Sequence, residues 1–66
     1  MASLKPRRGV WYARVRWVDN GRREKQIPLR TESKVTARER LTMVNQVEDE
    51  IIELHRKGER YTFPWM

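Results

Sequence analysis

Residues 10–21 read Val10-Trp11-Tyr12-Ala13-Arg14-Val15-Arg16-Trp17-Val18-Asp19-Asn20-Gly21, and the fold turns on how they alternate. Trp11, Ala13, Val15 and Trp17 share one parity. Tyr12, Arg14, Arg16 and Val18 share the other. Period-two alternation with β-branched and aromatic enrichment predicts a half-buried strand. Asp19-Asn20-Gly21 then supplies residues that tolerate positive φ, which marks a hairpin turn. A second strand is expected from roughly Arg22 to Thr31.

The length of that turn decides which side of the sheet is dry. A two-residue Asn-Gly loop sets Asp19 opposite Arg22 and puts Ile27 and Leu29 on the arginine side, leaving neither face apolar. A three-residue loop, with Gly21 in the left-handed bulge position, pairs Val18 with Arg22. Ala13 then faces Ile27, and Trp11 faces Leu29. A one-residue slip carries a whole set of side chains to the wrong face, so the second register is the expected one. In it, Tyr12, Arg14 and Arg16 share the outer face with Arg22, Glu24, Gln26 and Arg30, and Arg16 lies opposite Glu24.

Upstream, Ser3 to Arg8 is expected to form a short first strand turning at Gly9, with Leu4 inward and Ser3, Lys5 and Arg7 outward. Pro6 confines it to an edge. Downstream, Thr36-Ala37-Arg38-Glu39 has the form of a capping box. Ala37, Leu41, Val44, Val47, Ile51, Leu54 and His55 recur at three- and four-residue steps behind it, predicting one helix of about twenty residues with a single apolar stripe. Arg56 and Lys57 suit its C-terminal end, and Gly58 is its stop. The expected fold is α+β: a three-stranded antiparallel β-sheet packed against one C-terminal α-helix, in the order β-β-β-α.

Sixty-six residues make one domain. Residues 1–58 are expected to be the folded, DNA-binding part. Residues 59–66 are read as a linker or tail leading toward a following domain that is absent here. Tyr61, Phe63 and Trp65 make that tail apolar, so it either folds back on the core or meets a neighbouring domain. The chain has no cysteine and one histidine, which removes disulfides and any cysteine-based zinc site. No run is apolar enough to span a membrane and none reads as a cleavable leader. The expectation is a reduced, intracellular setting, without cofactor, metal or small-molecule substrate.

Charge is unevenly spread. Residues 1–30 hold nine basic and two acidic side chains, whereas residues 31–66 hold six basic and seven acidic. A basic sheet beside a near-neutral helix is the footprint of a protein that lays a sheet on a polyanion. Arginine grips phosphate or guanine bidentately, and a narrow twisted sheet can enter the major groove. Tyr12, Arg14, Arg16 and Gln26 are therefore the candidates for base edges, and Lys5, Arg7, Arg8, Arg22 and Arg30 for phosphates. Trp11 and Trp17 have core parity and are not read as stacking platforms. Glu48, Asp49, Glu50 and Glu53 point apart on the helix and form a solvated face. No cysteine nucleophile, no serine–histidine–carboxylate set in plausible context and no glycine-rich phosphate loop is visible. Two other readings stay open: an RNA-binding module using the same sheet, and a protein-interaction domain using the helix and the aromatic tail.

Arg8-Gly9-Val10-Trp11-Tyr12-Ala13-Arg14-Val15, then Asp19-Asn20-Gly21-Arg22-Arg23, then Thr36-Ala37-Arg38-Glu39 resembles the N-terminal arm-type DNA-binding domain of phage-type tyrosine recombinases (integrases). That family runs a Gly-x-Trp-x-Ala-Arg strand into an Asp/Gly hairpin and a Thr-x-x-Glu helix start. The likeness covers most of residues 3–57. It implies a sheet facing the major groove of double-stranded DNA at accessory (arm) sites, with Tyr12, Arg14 and Arg16 on the groove-facing strand and Arg22 and Arg23 at the hairpin end that touches backbone. It also implies a cytoplasmic setting in a bacterial or phage-infected cell, that DNA recombination and integration are catalysed by a separate domain, and that partners include other domains or protomers of the parent recombinase. The plant ethylene-response-factor domain is similar in plan. The chain departs from the integrase pattern at Ile27-Pro28-Leu29, where a glycine or phenylalanine is usual, and at Arg40, where an alanine is usual.

Overall fold

In the computed structural model, residues 2–66 are described, so Met1 of the expected 1–58 unit lies outside them. Three strands, β1 (Ser3–Arg7), β2 (Val10–Val18) and β3 (Arg22–Pro28), form one antiparallel sheet with β2 in the centre. The register is the expected one: Val18 pairs with Arg22, Arg16 with Glu24 and Ala13 with Ile27. Leu4 pairs with Ala13, and Arg7 with Val10. Arg8 and Gly9 make the first turn with φ of 53° and 83°, the doubly positive geometry that matches the twist of the flanking strands. Asn20 and Gly21, at 53° and 110°, shape the second. The Asp19 N–H donates to the Gly21 carbonyl (2.8 Å) and closes that tip.

Parity does the rest. Ala13, Val15, Ile27 and Leu29 are buried on the inner face, with Trp11 and Trp17 half-buried beside them. Both sheet prolines are edge residues whose nitrogen points away from β2. For Pro28 this follows from its neighbour, since the Leu29 N–H donates to the Trp11 carbonyl (3.1 Å) and the direction alternates along the strand. Neither proline removes a ladder bond. Pairing continues past the end of β3, because the Trp11 N–H donates to the Thr31 carbonyl (3.0 Å). Arg30 is the extra residue between these bonds, a bulge with φ of 50°. It is thus displaced from the regular outer-face position that strict alternation assigned to it.

The helical half departs from expectation in two places. The single helix is two: α1 (Lys34–Gln46) and α2 (Glu48–Arg56), broken at Val47, whose φ and ψ are −115° and 19°. The buried residues Ala37, Val44 and Ile51 recur every seven positions. A straight helix drifts about 20° per seven residues, and the break at Val47 falls within the second of these repeats. Glu48, Asp49 and Glu50 fill the first turn of α2, where carboxylates favour a new N-terminus. The N-cap of α1 is Ser33, not Thr36: the Ser33 hydroxyl accepts from the Thr36 N–H at 3.4 Å, which places Thr36 inside the first turn. The end is as expected. Gly58 (φ 76°) follows the last turn, with the Glu59 N–H donating to the Leu54 carbonyl (2.8 Å) and the Gly58 N–H to that of His55 (3.1 Å).

Residues 59–66 fold back. Phe63 is buried in the core, with Trp65 stacked on it (4.6 Å, 13°) and Tyr61 tilted against it (4.7 Å). The Trp65 indole N–H donates to the outward carbonyl of Pro28 (2.9 Å), and the Arg40 guanidinium lies 5.4 Å from the Trp65 ring centre. No helix among the described residues is long and apolar enough to cross a membrane.

Candidate nucleic-acid interface

Among the described residues, no helix or strand packs over the outer face of the sheet. Its residues follow from the register: Ser3, Lys5 and Arg7 on β1; Tyr12, Arg14 and Arg16 on β2; Arg22, Glu24 and Gln26 on β3. Lys5 lies opposite Tyr12, and Gln26 opposite Arg14, so the four candidate base readers except Arg16 form a compact block at the middle of the sheet. Outer strands two spacings apart are separated by about 10 Å, and the major groove is about 12 Å wide.

Charge on this face is organised around one carboxylate. Glu24 accepts a hydrogen bond from Nε of Arg14, and Nε of Arg16 approaches the same oxygen at 3.7 Å. The direct cross-strand neighbour of Glu24 is Arg16, yet the close partner is Arg14 on the diagonal, within reach of a long side chain. The Arg14 bond is the largest influence on Glu24. Helped by Gln26 and Arg16 and opposed by desolvation, it holds the carboxyl below its ordinary 4.5. The two arginines are not equivalent: the Arg14 side chain is 30% exposed and clamped, whereas that of Arg16 is 61% exposed and projects. The Arg7 guanidinium lies 5.8 Å from the centre of the Tyr12 ring, which keeps Tyr12 half-buried.

Lys5, Arg8, Arg22 and Arg30 are exposed. Arg8 is in the first turn, Arg22 at the second, and Arg30 in the bulge. Arg23 lies elsewhere. It pairs with Trp17, so its side chain starts on the helix side of the sheet, and its Nε donates to the Asp19 carbonyl (3.2 Å). There it borders a small cleft with Trp17, His55 and Arg56. Arg56 bridges from α2 to Asp19 (2.9 Å) and Glu53 (3.2 Å), and the bond to Asp19 raises its already high pKa. His55 meets the edge of Trp17 at 5.2 Å.

Sequence reasoning did not foresee the role of Arg40, whose Nη1 donates to the carbonyls of Leu29 and Arg30 and fastens the bulge to α1. Nothing in a local pattern reveals a bond between residues ten positions apart. The diagonal Arg14–Glu24 pair was visible in principle, since Glu24 is the only acid of outward parity in the strands. Among the described residues, no group of three or more His, Cys, Asp or Glu gathers to hold a metal ion. Comparison of the chain with protein-family models, with curated proteins and with solved structures finds no match to any of them.

Proposed function

We propose that this chain is a double-stranded DNA-binding module that docks its sheet in the major groove. The further proposal, resting on the resemblance in residues 8–15, 19–23 and 36–39, is that it serves a phage-type integrase as its arm-site domain. In that setting it carries no catalysis itself, works in the cytoplasm, and leaves DNA recombination to the rest of the parent protein. The observation that carries the DNA reading is the separation of faces: every buried strand residue lies on the helix side, leaving Lys5, Arg7, Tyr12, Arg14, Arg16, Arg22 and Gln26 together on an uncovered sheet.

The roles follow from geometry. Arg16 is more exposed than Arg14 and reaches a base edge before it. Arg14, held by Glu24, presents its fork in a fixed plane beside Gln26, whose amide suits adenine. Lys5, Arg7, Arg8, Arg22 and Arg30 neutralise phosphates. With about five phosphates neutralised, log K falls with log salt at a slope near −4.5. Replacing Arg14 or Arg16 by alanine weakens binding by about 1–3 kcal/mol and relaxes base preference at one position. Titration of a labelled duplex tests this, and it fails if both alanine variants bind like the parent. Tighter binding of single-stranded RNA than of duplex identifies the RNA module instead. Absence of binding to either at about physiological salt leaves the protein-interaction reading.

A further inference from the structure

Two of the exposed arginines occupy backbone positions that arginine is poorly suited to. Arg8 has φ of 53° and Arg30 of 50°. In this left-handed region the Cβ of an L-residue crowds the neighbouring carbonyl; glycine escapes that crowding and asparagine tolerates it. The first position of a doubly positive hairpin turn favours asparagine, aspartate or glycine. Backbone preference therefore does not account for arginine at either place. Nor do side-chain contacts: both are exposed, and among the described residues neither side chain makes a hydrogen bond or ion pair.

The backbone beneath each is nonetheless fixed. Arg8 is held by the Arg7–Val10 pair and Gly9. Arg30 is held by the two bonds that link Trp11 to Leu29 and Thr31, and by Arg40 on its own carbonyl at 3.3 Å. Both flank the start of β2, Arg8 from the turn on the β1 side and Arg30 from the β3 side. They thus bracket one end of the sheet, at a separation of about two strand spacings, or ~10 Å. The phosphate backbones bordering a major groove are about 12 Å apart.

From this placement we infer that Arg8 and Arg30 form a two-pronged phosphate clamp at the Val10 end of the sheet, one arginine on each DNA strand. The clamp rests on the sheet-in-groove reading and deepens it, by setting how far along the groove the sheet sits. It also gives a use to an unfavourable backbone, since the turn and the bulge hold both arginines exposed at the Val10 end of the sheet.

The 66-residue chain, with Arg8→Asn, Arg30→Asn, the double variant and Arg38→Gln, is titrated with a labelled random-sequence duplex between about 50 and 200 mM salt. Arg38 is an exposed arginine on α1 and controls for general charge loss. Each clamp variant is expected to flatten the log–log salt slope by about 0.9, and the double variant by about 1.8, with Arg38→Gln unchanged. Because asparagine tolerates positive φ, thermal midpoints of the clamp variants stay at or above that of the parent. An unaltered slope in either single variant, an equal loss in Arg38→Gln, or a fall in midpoint overturns the clamp while leaving sheet docking intact. If the parent itself binds no duplex, the sheet-in-groove reading falls and the clamp with it.

Discussion

Glu24 sits among five cations on the outer face, and its lowered pKa ties chain stability to pH. A carboxyl whose pKa is depressed on folding favours the folded state fully above its ordinary 4.5, and that contribution is lost as pH falls through the lowered value. Glu24→Gln removes this dependence. The difference in thermal midpoint between parent and variant is therefore expected to shrink as pH is lowered from about 5 toward 2. A difference independent of pH refutes the assignment to Glu24. In the proposed DNA binding the same substitution acts in the opposite sense for non-specific affinity, since it removes the only negative charge among the outer-face strand residues. Binding of Glu24→Gln to random duplex is expected to tighten, while its preference for a selected site weakens, because the Arg14 fork is no longer held.

At the scale of elements, the strands were readable from sequence, whereas the start of α1 and the break at Val47 were misread. Ala13 opposite Ile27 follows from a rule with few alternatives: only one turn length puts all the apolar side chains on one side. Helix boundaries have no such parity check. Thr36 and Glu39 match a capping box in spacing, but Ser33 lies one turn earlier and reaches the free amide of Thr36 first. Ser33→Ala is expected to destabilise the chain by about 0.5–1 kcal/mol, toward the lower end for a cap because the bond is long. Thr36→Ala is expected to change stability by less, and urea unfolding of both variants decides which residue is the cap. The break at Val47 had a legible signal, three consecutive acids at Glu48–Glu50, that a continuous apolar stripe obscured. On the sheet, the half-buried Lys25 has inner parity opposite Val15 on an edge strand. An inward-pointing charge there discourages pairing with another chain.

For the whole molecule, the tail is part of the fold. Phe63 is 3% exposed, so residues 59–66 close the core rather than merely leading away from it. Pro28 and Arg40 both meet the tail, since the Pro28 carbonyl accepts from the Trp65 indole N–H and the Arg40 guanidinium lies against its ring. Trp65 lies far along the chain from both, so neither contact was legible in its own neighbourhood. A domain of this size buries little surface, so such contacts weigh heavily. Trp65→Ala is expected to cost about 2–3 kcal/mol, below the range for a fully enclosed indole because Trp65 is half-buried. Chemical denaturation checks it, and a change below about 0.5 kcal/mol, the usual scatter for surface positions, shows the tail to be dispensable.

The placement of the tryptophans has an optical consequence. Trp11 and Trp17 have inner parity and pack against the core, and Trp65 is stacked on Phe63, so none of the three indoles occupies an outer-face position of the sheet. Intrinsic emission is therefore a gauge of unfolding that is blind to docking: it shifts strongly in denaturant and stays nearly constant as duplex is added. Strong quenching by duplex means that bases have reached an indole, and that nucleic acid approaches from the opposite side.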